Sequence, residues 1–501
     1  MYITNKESVV SVWDTNTGDK LMQFVNAHHT IERGVEVPVE ITALCFDYNG
    51  RRLMTGARNG TIHVWNFNNG LLMQEFELPD ASAVTGIACA PHYFYTSGWG
   101  KLVYVYIDGG GEEHRKAWKQ RHKEDVHCIA FLAPNIIASG GYDGDVVIWS
   151  RDTGQVYCRL NAFESVKPVT EHTQRRNTIT KLPSRPLTVE LQTDENVSPS
   201  KSEETRSPST WVRRKRLATT IGLMNRMYRT TDTSPEEEEE LVDHPLLNAL
   251  DPESFNTSEK TLYTREEYDA VCKNYESSVE KILFLEKREP LHKDVAVLIT
   301  CGAEGWVRFW SVHHDGGLLG QFNAAHRLGE SVLSIVTDAS ETLLVTGDTQ
   351  GYVKIWDIMD YCTGKKMNMK ETTERIDFLR KNFTFYRVEN YDGKPDFYTI
   401  PDHLRNVFAS RPPPTSSDPS KTLVYPPLVN SFRAHLRSIH SVDFISDRGL
   451  LITASADCSV RMWTVNGHYI GTFGGPNWKP LPKVVNNDYF LSQVQTQLLY
   501  F

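Results

Sequence analysis

The absences narrow the field first. No run of about 18 or more apolar residues occurs in the 501-residue chain, so an ordinary membrane-spanning helix is not expected. Basic charge is not in excess: 54 Lys and Arg stand against 63 Asp and Glu, a net charge of −9. That excludes a general binder of phosphate backbones. Residues 1–7, Met1-Tyr2-Ile3-Thr4-Asn5-Lys6-Glu7, lack the apolar core of a secretory leader. Cysteine is sparse and unpaired in sequence: Cys45, Cys89, Cys128, Cys158, Cys272, Cys301, Cys362 and Cys458 include no C-x-x-C. They read as small apolar side chains of a reducing compartment, not as disulfides or zinc ligands. Gly109-Gly110-Gly111 has no following Lys-Ser/Thr, so no phosphate loop is expected. Asp14-x-Asn16-x-Gly18 has its glycine one place early for a calcium loop and no Glu at the twelfth position. His28-His29 and His313-His314 lack ligand partners at metal spacing and read as surface histidines.

What is present is a repeat. Val9-Val10-Ser11-Val12-Trp13 returns as Thr61-Ile62-His63-Val64-Trp65, Asp145-Val146-Val147-Ile148-Trp149 and Trp306-Val307-Arg308-Phe309-Trp310. Further copies are Tyr352-Val353-Lys354-Ile355-Trp356 and Ser459-Val460-Arg461-Met462-Trp463. A degenerate copy, Leu102-Val103-Tyr104-Val105-Tyr106, carries tyrosine for tryptophan. Each copy alternates as a half-buried strand does. Each lies between turns, and an apolar strand such as Leu450-Leu451-Ile452-Thr453 precedes it. With 161–270, 359–427 and 474–501 set aside, about 42 residues remain per repeat, the size of one four-stranded blade.

This pattern resembles the WD40 repeat family at seven places along the chain. The resemblance implies an all-β fold: a seven-bladed WD40-type β-propeller with an incomplete first blade and two long inserts. A single blade cannot bury both its faces, whereas a ring of blades buries them and protects the sheet edges. In the family a His, a Ser or Thr, an Asp and the Trp form a hydrogen-bonded set, which gives a buried indole N–H and a buried imidazole their partners. Two repeats carry the full set here: His122, Ser139, Asp143 and Trp149, and His435, Thr453, Asp457 and Trp463. Elsewhere Asn59, Gly100, Glu304 and Gln350 stand at the Asp position; His326 remains, but no histidine matches at the starts of the second and fifth repeats. Although His, Ser and Asp are also the residues of a catalytic triad, their recurrence beside a structural Trp argues against one active site.

Blades 1–4 are expected over 1–160 and blades 5–7 over 263–473, with a first strand of blade 5 near Val279–Phe284. Residues 161–262 form a charged insert expected to be disordered, rich in Ser, Thr, Pro, Glu and Arg. It includes Ser198-Pro199, Ser207-Pro208, Ser234-Pro235, the acidic block 236–240, and a basic segment, Arg213-Arg214-Lys215-Arg216, with apolar neighbours at helical spacing. That segment reads either as a partner-docking or nuclear-import element or as a patch with no role. The ordered or semi-ordered insert 359–427 carries a candidate amphipathic helix over 372–383. The chain opens in what should be the second strand of a blade. The missing inner strand would come either from 493–501, in the tail 474–501 that can close the ring, or from sequence upstream; the second source is preferred.

The expected function is a non-catalytic protein–protein interaction scaffold. No cofactor or metal is expected, and its partners are other proteins, not membranes, nucleic acid or small-molecule substrates. Contact is expected on the rim where turns precede the Asp position, at Arg58, Trp99, Tyr142, Ala303, Thr349 and Ala456. Trp99 and Tyr142, on adjacent blades, are the expected anchor pair, and Arg58 is a further candidate contact; the alternative is that either aromatic packs on its own neighbouring blade. Similarity to the large WD-repeat proteins of ciliated and sperm cells implies a cytoplasmic place, on an axoneme of cilium or flagellum or on the cytoskeleton. A nuclear or RNA-associated adaptor and a ubiquitin-ligase substrate receptor are the alternatives.

Overall fold

The computed structural model describes residues 2–4, 7–24, 27–110, 115–119, 122–162, 165, 278–290, 292–364, 374–375, 388–389, 395–396 and 426–481. The chain divides into two units, Met1–Val169 with Ser258–Phe501, and Thr170–Thr257; the described residues all belong to the first. The basic segment 213–216, the Ser-Pro sites, the acidic block and 493–501 lie outside them.

The alternating segments form antiparallel sheets whose strands lie side by side in chain order, with the pair Val388–Glu389 and Pro395–Asp396 set apart between the last two strands of one sheet. Blade 2 runs Ile41–Phe46, Arg52–Ala57, Thr61–Asn66 and Leu71–Glu77. Blade 3 runs Val84–Ala90, Tyr93–Gly98, Tyr104–Ile107 and Lys116–Ala117, and blade 4 runs Val126–Leu132, Ile136–Gly141, Val146–Ser150 and Val156–Leu160. Blade 5 opens with Val279–Phe284, at the position its alternation indicates, and continues through Leu298–Gly302, Trp306–Ser311 and Gly317–Asn323. Blade 6 comprises Val332–Thr337, Leu343–Asp348, Tyr352–Asp357 and, beyond the second insert, Leu428–Arg433; blade 7 comprises Ile439–Ile445, Leu450–Ser455, Val460–Thr464 and Tyr469–Thr472.

Six four-stranded blades are therefore complete, not seven. The first repeat makes a three-stranded sheet, Tyr2–Thr4, Val10–Trp13 and Lys20–Phe24. Its tryptophan strand is second where every other blade has its equivalent third, so the inner strand is the one absent among the described residues. Among those residues no complete α-helical element occurs; of the candidate helix over 372–383 only Glu374 and Arg375 are described, both in helical conformation. Arg375 ties that insert to blade 6 through two bonds to Asp357, the acid that ends the third strand, at 2.8 and 3.1 Å.

Seven apolar clusters hold the sheets face to face, each shared by neighbours. Phe76 and Tyr104 join blades 2 and 3, for example, and Trp149 and Trp118 join blades 3 and 4. The first sheet packs both ways. Val10 and Phe24 meet Leu53 and Trp65 of blade 2, while Ile3 and Trp13 meet Met462 and Phe473 of blade 7. The cysteines are less uniformly buried than expected. Cys128 and Cys301 are buried, Cys45, Cys89, Cys158 and Cys362 are half-buried, and Cys458 is exposed; these seven are free thiols.

Candidate functional site

Repetition builds the rim. In each complete blade the residue at the head of the turn after the second strand donates its backbone N–H to the residue before the inner strand. The bonds run Arg58 to Glu40, Trp99 to Ala83, Tyr142 to Asp125, Ala303 to Ser278, Thr349 to Ser331 and Ala456 to Ser438, all between 2.9 and 3.2 Å. Two residues on from each acceptor, the inner strand bulges by one residue: the register skips Thr42, Thr85, His127, Glu280, Leu333 and His440. A bulge re-aims its side chain out of the pleat, and five of these six line a central cavity of about 480 Å³. Rim and channel mouth are thus one face.

Along that rim the side chains differ. Trp99 is 51% exposed, and the guanidinium of Arg58 lies over its ring at 5.9 Å. Arg58 also reaches Glu40 at 3.4 Å. Tyr142 turns instead toward the channel, its ring 5.5 Å from that of His127. The exposed pair is therefore Arg58 with Trp99, while Tyr142 is half-buried; Ala303, Thr349 and Ala456 are small and half-buried. In the channel His127 faces Glu280 at 3.6 Å. Burial pushes the Glu280 carboxyl up, but the His127 bond and charge and a Ser278 hydroxyl outweigh it and hold it below its usual range. Burial likewise opposes the charged His127, and Glu280 overrides it, raising the imidazole. A fixed dipole with His440 nearby is what the channel offers to a ligand.

The buried sets fix these rims in place. In blade 7 His435 bonds Asp457 at 3.0 Å and Thr453 at 2.7 Å, and the Trp463 indole donates to Thr453 at 3.1 Å. In blade 4 His122 meets Ser139 at 2.6 Å and Trp149 donates to Ser139 at 2.7 Å. Asp143 does not close that set. Its carboxylate accepts the Asp145 N–H, while one of its oxygens and His122 Nδ1 have no partner among the described residues. Burial and then Asp145 raise the Asp143 carboxyl, and burial lowers His122 to about 4.

Blade 2 does have its histidine. His28 is buried, not on the surface: it bonds Thr55 at 2.7 Å and Thr61 at 2.6 Å, and Thr61 donates on to Asn59 at 2.7 Å. Trp65 donates to the same Thr55 at 2.8 Å. A hydroxyl thus bridges the distance between the imidazole and Asn59. Burial, then the stacked His63 at 3.9 Å, lowers His28 to about 3. In blade 6 the acid is Asp348, two places before Gln350. It accepts the backbone N–H of His326, not its imidazole, at 2.9 Å and pairs with the buried Lys354 at 2.8 Å. The rings of His313 and His314 lie tilted against each other, centroids 4.1 Å apart, beside Asp315; His314 and Asp315 are exposed, and His313 Nδ1 accepts the Asp315 backbone N–H.

The comparisons agree with this architecture. The WD domain, G-beta repeat family (WD40) matches residues 29–66, 117–150, 317–357 and 426–464. Curated relatives include the WD repeat-containing protein on Y chromosome of Drosophila grimshawi, 28% identical over 470 residues that cover 93% of this chain and 33% of the relative. The Anopheles gambiae protein of that name is 28% identical over 490 residues, covering 96% of this chain and 38% of its own. The chain spans about a third of the length of the curated relatives it matches. Their names carry no ciliary or sperm-cell designation, so the group expected from the divergent repeats is not the one these comparisons return.

Proposed function

We infer that this chain, which carries WD40 repeats folded as a β-propeller, is a non-catalytic platform for other proteins. The three-stranded sheet serves in this reading as a seventh blade whose inner strand is not among the described residues, with neighbours packed on both its faces. Partners dock on the rim at blades 2 and 3. The observation that carries this is the exposed Trp99 with Arg58 above it, held by the backbone bonds that recur around the face. A large aromatic ring and a guanidinium on a rigid frame combine apolar area with a directed cation, the composition of a hot spot. A partner loop bearing an apolar side chain next to a carboxylate fits both groups.

The test compares proximity labelling by the intact chain and by its Trp99→Ala and Arg58→Glu variants, with Tyr157→Ala, an exposed residue of the outer strand of blade 4, as control. The rim reading expects a set of neighbours lost in both rim variants and kept in the control. Identical sets in all four proteins would place docking elsewhere.

A further inference from the structure

Three sulfur atoms from two blades meet between the inner ends of blades 2 and 3. Cys45, in the inner strand of blade 2, lies directly opposite Met54 of the next strand. Directly opposed residues of an antiparallel pair share a face. Cys89, in the inner strand of blade 3, approaches both from across the gap. Its Sγ is 3.4 Å from that of Cys45, and its thiol donates to the Met54 thioether at 3.2 Å. The chain of S–H groups therefore runs from Cys45 to Cys89 to Met54. Cys45 and Cys89 are half-buried as whole residues, and Met54 is 3% exposed and fixed by packing.

We propose that Cys45, Cys89 and Met54 form an inter-blade site for one Cu(I) ion, held by two thiolates and one thioether. Soft sulfur ligands, the thioether above all, select this soft monovalent cation. A structural zinc site asks instead for four N, S or O ligands in a tetrahedron. Among the described residues the one group of three His, Cys, Asp or Glu side chains close enough to share an ion is His313, His314 and Asp315, so no imidazole or carboxylate completes a tetrahedron here. With a metal–sulfur length of about 2.3 Å, a trigonal ion spreads its sulfurs to about 4 Å. The two thiols must then part by about 0.6 Å, and the Cys89 thiol and the Met54 thioether by about 0.8 Å, through rotations of the two cysteine side chains. On binding, two S–H bonds break, two Cu–S bonds form, the thioether lends a lone pair, and two protons leave to water. No electron is transferred. The Cys89 bond and burial hold the Cys45 thiol protonated, which slows its oxidation, since the thiolate is the reactive form.

The intact chain is titrated with Cu(I) alone, under anaerobic reducing conditions, in competition with bicinchoninate. The proposal expects one equivalent taken up with a sulfur-to-copper charge-transfer band, and a rise in Tm because the ion binds only the folded state. The double variant Cys45→Ser/Cys89→Ser loses that equivalent and the rise. Met54→Leu, which preserves volume, keeps its unliganded Tm and binds at least tenfold more weakly. Cys458→Ser, which removes the exposed thiol, changes nothing. Unchanged uptake in the double variant would overturn the proposal, and so would tighter binding of Zn(II) than Cu(I) at these residues. A Cys45–Cys89 disulfide formed with peroxide, together with no copper uptake by the reduced chain, would overturn it as well.

Discussion

At the scale of single residues, one spacing organises the buried polar groups. The indole and its hydroxyl acceptor are ten residues apart in Thr55–Trp65, Ser139–Trp149, Thr300–Trp310, Thr346–Trp356 and Thr453–Trp463. The sixth pair, Thr96 and Tyr106, breaks the rule: the Tyr106 hydroxyl donates to the Glu77 carbonyl, and the Thr96 hydroxyl is left without a partner among the described residues. A buried hydroxyl that makes no bond is costly, and removing it is neutral or better. Thr96→Val is therefore expected to leave stability unchanged or raise it by up to about 1 kcal/mol. Thr55→Val strands the Trp65 N–H and the His28 Nε2, whose Nδ1 keeps its bond to Thr61, and is expected to cost about 2–4 kcal/mol. Chemical denaturation of the two variants checks this, and equal losses would refute it. The tryptophans and the blade 7 set were legible because residue types recur at fixed offsets. His28 was not, because Thr61 relays its bond to Asn59 where the pattern has an Asp, and Asp348 was hidden by a shift of two places.

The same buried histidines set a pH dependence. Burial lowers His28 to about 3, His122 to about 4, and His435 below its ordinary value. The unfolded chain takes up these protons near pH 6.5 and the folded chain does not, so stability is full above that value and falls below it. Each group contributes up to about 1.4 kcal/mol per pH unit until its folded value is reached. Asp457 adds loss in the same direction at lower pH, since its pairing with His435 and Ser459 overcomes burial and holds its carboxyl far below the usual range. Unfolding midpoints in denaturant should fall steadily from about pH 6.5 to about pH 4.5; a flat profile would contradict the neutral, buried state of these rings.

At the scale of the element, turns decide how closely blades approach. Gly351, in the turn before the third strand of blade 6, has φ +83°, and a Cβ there would lie 2.1 Å from the His435 carbonyl oxygen. Gly449 has φ +61°, yet its nearest neighbour would be 3.7 Å away. Gly449→Ala should cost about 1 kcal/mol, the strain of a left-handed residue alone. Gly351→Ala adds a clash with backbone and should cost several times more, a difference that thermal unfolding reads directly. Strand order was legible from alternation within each repeat, and beyond the second insert Leu428–Arg433 completes blade 6. Side-chain direction on the rim was not. Trp99 and Tyr142 hold equivalent backbone positions, but Arg58 stands over one and His127 draws the other inward. The Cys45–Cys89 contact was not legible from the repeat: counted from the bulges at Thr42 and Thr85 the two cysteines are third and fourth, one register step apart, and so lie on opposite faces of their own sheets, the faces that adjacent blades turn toward each other.

At the scale of the whole ring, closure depends on the three-stranded sheet. Sequence indicated that this sheet is a strand short, as it is among the described residues, but not how it is held. Trp478 reaches back from beyond blade 7, its indole donating to the Asn16 carbonyl at 2.8 Å and its ring covering Gly18 and Gly471. Phe473 lies edge-on to both Trp13 and Trp478, at 6.1 and 4.9 Å, and the Gly474 N–H bonds Gly18. These contacts tie the first sheet to the segment that follows blade 7. Hydrogen exchange of Val10–Phe24 in the intact chain and in Trp478→Ala tests ring closure most directly. Closure predicts slow exchange there in the intact chain, together with marked acceleration in the variant that leaves blades 3–5 unchanged. Rapid exchange of Val10–Phe24 in the intact chain would contradict it.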